Sequence, residues 1–264
     1  MFFLAYICCI QTTLSMKKQH FLLALLLLLS ATTLSAQPKI IAHRGYWRAE
    51  GSAQNSITAL AKAAEAGCYG SEFDVHLTAD GELVVFHDKA LEGEGAIAQM
   101  TAAEVTACKL PNGESVPTLE AYLNEALKHP SLRLILELKP QPNRAHEATA
   151  AAKCVEMIER WGLAERTDYI SFSLEACRDF HRLSPNSKVF YLGGKLSPKR
   201  LKEEGFAGAD YCFAHFMLHP SWIAKCKRLG LETNVWTIDC APLMRHYARR
   251  GVDYITTNRP DRQF

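Results

Sequence analysis

This 264-residue chain has no excess of either charge, no cysteine framework and, beyond residue 36, no long apolar run. Its formal net charge is +2, which gives no electrostatic footing for nucleic-acid binding. Charged residues make up 22%, an ordinary share for a soluble domain. Of nine cysteines, Cys8 and Cys9 lie ahead of residue 36, which leaves seven: Cys68, Cys108, Cys154, Cys177, Cys212, Cys226 and Cys240. Odd in number and widely spaced, they make neither a disulfide framework nor a zinc motif. Most read as small buried hydrophobes, though one or two pairs could bridge in an oxidising compartment. There is no repeat, no low-complexity linker and no sign of a second domain. The length allows one large domain with a sizeable core, or two small ones.

Residues 16–36 read MKKQHFLLALLLLLSATTLSA. Lys17 and Lys18 give a positive start, Phe21 to Leu29 an apolar middle, and Ser35-Ala36 a small-residue end, the pattern of a secretory signal peptide. The apolar core is shorter than the roughly 20 residues of a membrane span. No cysteine sits at the cleavage site, which argues against a lipoprotein anchor and leaves no stable membrane anchor after cleavage. Residues 1–15 precede this region, and Met16 is the expected true start. The expected location is therefore outside the cytoplasm, periplasmic or extracellular.

From Ile40 onward, strand-like and helix-like segments alternate. The strands are read at Ile40–His43, Ser71–His76, Arg133–Leu138, Tyr169–Ser173, Lys188–Leu192, Tyr211–Phe216, Glu232–Ile238 and Asp253–Thr257. Helices are read between them, Ser56–Ala66 with an apolar stripe of Ala59, Leu60, Ala63 and Ala64 among them. Eight parallel strands with intervening helices imply an α/β fold, a (β/α)₈ TIM barrel over residues 37–264, with the last helix short or absent. Thr78-Ala79-Asp80-Gly81 is too short for a parallel crossover, so the strand through Glu72 folds back as a hairpin. Centring that hairpin on Ala79-Asp80 places His87 opposite Glu72. Lys89–Val116, after the hairpin, is the longest irregular segment and is expected to form a small lid over the barrel mouth.

Glu72, Asp74 and His76 share one face of their strand, with Phe73, Val75 and Leu77 on the other. Two carboxylates on one strand face make a nest for a divalent cation; buried together without one they would repel and take up a proton. Functional groups of this fold come from the C-terminal ends of strands. His43 and Arg44, Glu72 and Asp74, Glu137 and Lys139, and Trp236 all fall there.

The chain resembles the glycerophosphodiester phosphodiesterase family over roughly Ile40 to Asp261. The matching pieces, in order, are HRG at His43–Gly45, E-x-D at Glu72 and Asp74, T-x-D-G at Thr78–Gly81, VVFHD at Val84–Asp88, PTLE at Pro117–Glu120, LELK at Leu136–Lys139, VWTID at Val235–Asp239 and TTNRPD at Thr256–Asp261. The resemblance implies an enzyme that hydrolyses glycerophosphodiesters, small molecules derived from phospholipids, to an alcohol and glycerol 3-phosphate. It supports Glu72, Asp74 and Glu137 as ligands of one divalent cation, for which Ca²⁺ or Mg²⁺ suits three carboxylates. Arg44 and Lys139 offer positive charge to the phosphate. His43 and His87 are the implied acid–base pair, with a neighbouring glycerol hydroxyl attacking phosphorus to give a cyclic phosphate that water opens.

Each assignment has a plainer alternative: a surface strand end for His87, a rim salt bridge for Arg44, and an ion pair with Lys139 or Arg133 for Glu137. The family usually has Glu-Asn about ten residues after HRG, where this chain has Gln54-Asn55. Asn55 is kept as a phosphate or metal-shell contact, and Glu50 is a candidate replacement for the missing acid. Trp236 either packs in the barrel mouth or contacts substrate. His76 either lines the pocket or makes an ordinary hydrogen bond, and His215 is a weaker substrate candidate. Two rival functions stay open, a phospholipase-type barrel acting on intact lipid and a non-catalytic phosphate-binding barrel; retention of both histidines and three carboxylates argues against the second. The leader pattern carries its own test. N-terminal sequencing of exported protein should begin close to Gln37, and recovery only as an intact membrane-bound chain would overturn the assignment.

Overall fold

The structure, a computed structural model, describes residues 37–262. The expected signal peptide, residues 16–36, and the segment 1–15 lie outside the described residues. Among the described residues no helix is long and apolar enough to cross a membrane.

In chain order the strands are β1 (Lys39–Ala42), β2 (Gly70–Leu77), β3 (Leu83–Val85), β4 (Ala90–Leu91), β5 (Gly95–Ala96), β6 (Arg133–Leu138), β7 (Thr167–Ser171), β8 (Val189–Tyr191), β9 (Gly208–Cys212), β10 (Glu232–Trp236) and β11 (Tyr254–Thr257). The helices are α1 (Ile57–Glu65), α2 (Ala102–Ala107), α3 (Leu119–Ala126), α4 (Arg144–Arg160), α5 (Leu174–Leu183), α6 (Pro198–Glu203), α7 (Phe213–Leu218), α8 (Trp222–Arg228) and α9 (Ala241–Arg249). Parallel pairing runs β1-β11-β10-β9-β8-β7-β6-β2, and β1 pairs in turn with β2, so the sheet closes into the expected (β/α)₈ barrel.

Alternation along each strand sorts side chains between two cores. On β2, Phe73, Val75 and Leu77 face outward; on β6, Leu134, Leu136 and Leu138 do the same. They pack against helices in one large cluster that includes Leu60, Tyr122, Phe180 and Tyr247. The barrel interior holds a smaller cluster of Ile41, Ile135, Ile170, Phe190, Leu192 and Tyr254. Side-chain oxygens fix several helix starts: Ser56, Thr118 and Ser173 accept from Ala59, Ala121 and Ala176, closing the orphan amides of α1, α3 and α5.

Three readings of the sequence change. The sixth strand runs Gly208–Cys212, and Phe213–Leu218 is helix α7 instead of strand. A short apolar run such as YCFAHF satisfies either period, and here burial of Phe216 on a helical face decides it. His215 therefore sits on a helix and not at a strand end. The β2–β3 register pairs Val75 with Val85 and Leu77 with Leu83, one residue off the centring on Ala79-Asp80. The turn spans Ala79, Asp80 and Gly81, with Gly81 at φ +82°. An odd-numbered turn shifts the register by one, so His87 lies beyond the end of the ladder instead of opposite Glu72.

The segment Lys89–Val116 is not irregular. It carries β4, β5 and α2, whose start bears a reciprocal Thr101–Glu104 capping box. Leu91, Ile97, Met100, Val105, Leu110 and Val116 bury a separate core with Ala53 and Val84, against the flank of the hairpin. None of its residues lines the barrel cavity described below. Ile97→Ala, at a fully buried position, should destabilise the protein by about 2–5 kcal/mol in denaturant unfolding. Turnover of the folded variant should stay close to normal; a collapse in turnover would show that the insertion acts on the cavity after all.

Candidate active site

At the C-terminal ends of the strands the barrel opens into a cleft with a cavity volume of about 90 Å³. His43, Arg44, Glu72, His87, Glu137 and Lys139 line its charged side, with Ile135 beneath them on β6; Ile170, Leu192, Phe172 and Trp236 line its apolar side. Strand pairing brings the carboxylates together. Asp74 on β2 is level with Glu137 on β6, and Glu72 lies one inward-facing position deeper. One oxygen from each lies within 4.8 Å of the others, and all three residues are buried.

The loop after β1 is shaped to this cluster. Arg44 and Gly45 both adopt left-handed backbone, at φ 56° and 72°. That turn aims the Arg44 amide at Glu72 Oε2, 2.7 Å away, and the Gly45 amide at the Glu72 carbonyl, 3.1 Å away. A Cβ on Gly45 would fall 2.6 Å from the Cβ of Ala59, so only glycine fits between this loop and α1.

Compensating charges and dipoles surround the carboxylates. Lys139 Nζ lies 2.8 Å from Glu137 and 3.2 Å from Asp74, and Arg44 Nε lies 3.7 Å from Asp74. Asn55, at φ 61° and buried, donates to Asp74 Oδ2 at 2.8 Å and accepts from the Asp74 amide at 3.2 Å. Both ends of its amide are thus engaged behind Asp74, the place of a group that orients a carboxylate. Gln54 Oε1 accepts from Arg44 Nη1 at 2.5 Å. As a neutral partner, it holds the guanidinium without cancelling its charge. Glu50 is exposed and stands apart from the carboxylate cluster.

These surroundings separate the protonation behaviour of the groups. Burial, reinforced by Asp74 and Glu137, pushes Glu72 well above the usual carboxylate range. Burial and Asp74 push Glu137 up to about 8, against the pull of Lys139. Burial also works on Asp74, but Lys139, His87, Asn55 and Arg44 together hold it low. Burial, with Arg44 beside it, pushes His43 down to about 4.

The two histidines face the cluster from different loops. His43 Nδ1 donates to Asn258 Oδ1 at 2.9 Å, because the Asn258 amide nitrogen is itself engaged with Asp239 Oδ2 at 2.9 Å. The other nitrogen, Nε2, lies 4.0 Å from Glu72 Oε2. His87 Nδ1 donates to Asp88 Oδ1 at 2.7 Å, and its carbonyl lies 3.3 Å from His76 Nε2. His76 makes this bond while buried. Asp239, Asn258 and Asp210 were not singled out as site residues from the sequence. The first two lie inside VWTID and TTNRPD; Asp210, like Glu72, is a charge inside an apolar run, which was the available signal.

Known proteins resemble this chain in sequence and fold. The glycerophosphoryl diester phosphodiesterase family model matches residues 43–262. The chain belongs to that family. A crystal structure of a glycerophosphodiester phosphodiesterase from Parabacteroides distasonis is 52% identical, with a TM-score of 0.84, covering 85% of this chain and 94% of that one. A glycerophosphodiester phosphodiesterase of Caldanaerobacter subterraneus subsp. tengcongensis is 29% identical over 237 residues, 84% of this chain and 94% of its own length. An Oleispira antarctica phosphodiesterase solved with its product sn-glycerol-3-phosphate is 25% identical, with a TM-score of 0.71, covering 86% of this chain and 95% of that one.

This phosphodiesterase has a donor set that fits a divalent metal. Glu72 Oε1 is buried with no hydrogen-bond partner, an orphan acceptor aligned with two further carboxylates. Three hard oxygen donors suit a hard cation. Without the cation, the folded protein holds protons on Glu72 and Glu137 that the unfolded chain, with its ordinary value of 4.5, has already lost. Stability then falls as pH rises between 4.5 and about 8. His43 and His76, each pushed down from 6.5 to about 4, act in the opposite direction, but only below 6.5. Chelated enzyme should therefore lose thermal stability steadily from pH 6.5 to about 8, and a divalent cation should flatten the slope. A chelated melting temperature that is flat or rising across that window would contradict the buried-triad assignment.

Proposed function

We propose that this phosphodiesterase hydrolyses glycerophosphodiesters to glycerol 3-phosphate and an alcohol, with His43 as general base and His87 as general acid. We further propose that residues 16–36 export it and that Ca²⁺ or Mg²⁺ serves the site. The observation that carries the catalytic reading is the shared cleft. Two histidines, two cationic side chains and three clustered carboxylates line or border one opening at the C-terminal strand ends.

A divalent cation held by Glu72, Asp74 and Glu137 would supply Lewis-acid stabilisation of charge on the phosphoryl oxygens. Arg44 and Lys139 hold the same oxygens in place. Gln54, a neutral acceptor, holds the Arg44 guanidinium without adding a second negative charge beside Asp74.

His43 is neutral near pH 7, with its proton on Nδ1 toward Asn258 and a lone pair on Nε2. It can take the proton of the glycerol hydroxyl as that oxygen bonds to phosphorus. His87, with Nδ1 committed to Asp88, gives a proton from Nε2 to the departing alcohol as its P–O bond breaks. In the second half, His87 takes a proton from the attacking water, and His43 returns its own to the ring oxygen that leaves phosphorus. Both histidines end as they began, and the product is glycerol 3-phosphate.

His43→Ala and His87→Ala should each lower kcat by about two to four orders of magnitude, with much smaller changes in KM. A diester with a good leaving alcohol should rescue His87→Ala, which lacks the acid, and leave His43→Ala slow. Rescue of His43→Ala instead would reverse the two roles, and near-normal turnover in either variant would remove that histidine from the mechanism.

A further inference from the structure

The apolar side of the cleft contains one carboxylate that the chemistry above does not use. Asp210 projects from β9 into the cavity, beside Leu192, Phe172 and Trp236. In the closed barrel β9 is four strands from β2 in either direction, so Asp210 stands across the opening from Glu72 and Asp74. It is 2% exposed, and its side chain accepts a single hydrogen bond, from Asn234 Nδ2 at 3.0 Å. Among the described residues no cation pairs with it, unlike Asp74 and Glu137, which share Lys139. One neutral hydrogen bond does not offset the desolvation of a buried carboxylate.

Two aromatic rings flank this carboxylate. Trp236 Nε1 donates to the Asp210 carbonyl at 2.9 Å, which ties the indole to it. Phe172 meets Trp236 edge to face, with centroids 5.7 Å apart and planes at 83°. A carboxylate lacking its counter-charge, an aromatic corner and the apolar side chains of Ile170 and Leu192 together describe a receptor for a methylated cation. The rings attract it through their quadrupoles, the aliphatic wall takes its methyl groups, and Asp210 supplies the counter-charge.

We infer that Asp210, Phe172 and Trp236 form a headgroup subsite that selects diesters whose alcohol carries a quaternary ammonium group. This rests on the hydrolytic function proposed above and adds the substrate class. With the phosphate held by Arg44 and Lys139, the alcohol reaches across the cleft, and its charge replaces the pairing that Asp210 lacks. A neutral alcohol would leave the carboxylate unpaired.

The test compares glycerophosphocholine with its uncharged 3,3-dimethylbutyl isostere, in which carbon replaces nitrogen. Wild-type enzyme should favour the choline diester in kcat/KM by about tenfold or more. Asp210→Asn should shrink that ratio to within about threefold, and Phe172→Leu should shrink it partway. Equal kcat/KM for the two substrates in the wild type would overturn the inference, with no variant needed. A loss in Asp210→Asn that is equal for both substrates would also overturn it, since Asp210 would then hold the glycerol arm common to both. Failure of the wild type to hydrolyse either diester would instead strike at the proposed function itself.

Discussion

Mutual repulsion among Glu72, Asp74 and Glu137 is the constraint around which the molecule is arranged. Three carboxylates converge in a buried place where water cannot screen them. Lys139 straddles two of them, Asn55 grips the third side of Asp74, and the left-handed Arg44 turn delivers a backbone amide to Glu72. Each is a fixed dipole or charge supplied by the protein, and each leaves the cluster incompletely compensated. That shortfall leaves the triad a set of hard oxygen donors that fits a divalent cation better than it fits a structural ion-pair network. The Glu137–Lys139 pair does exist, but Glu137 keeps its strong preference for a proton beside it, so the pair alone does not satisfy the carboxylate.

Barrel geometry turns this local frustration into a directional site. Neighbouring strands β1, β2 and β6 bring the charged groups to one side of the opening, while β7, β8 and β10 bring Ile170, Leu192, Phe172 and Trp236 to or near the other. A diester has a charged centre and two arms, and a cleft with one charged and one apolar side fixes which way it lies. The hydrogen-bonded pairs behind the histidines, Asn258–Asp239 and Asp88, lie outside the direct contact zone and set which ring nitrogen faces the substrate.

The barrel and the carboxylate nest were legible because both follow from period two. Apolar residues alternate with Glu72 and Asp74 on one strand and with Glu137 on another, and that pattern gives a pairing and a face together. The hairpin register was off by one because a turn of three residues and a turn of two leave nearly the same trace in the sequence. Phe213–Phe216 reads as strand in the sequence because the run is too short to show a period. The insertion core was missed for a related reason: Leu91, Ile97, Met100, Val105, Leu110 and Val116 are spread over short elements with no common repeat. Asn258 and Asp239 were legible as motif members only, since the bond to His43 crosses 215 positions of sequence and is visible only once the barrel has closed.

That long reach has a consequence for biosynthesis. β1 is the first strand of the barrel and β11 the last, and they pair side by side. His43 comes from one end of this circuit, and its tautomer is set from the other, through Asn258. A growing chain emerging from the ribosome therefore carries His43 almost from the outset, yet cannot give it the Asn258 contact until the final strand has been made and seated. Barrel closure is thus the step that completes this side of the cleft, since a fragment ending before β11 contains Glu72, Asp74 and Glu137 but lacks the seam that brings Asn258 to His43.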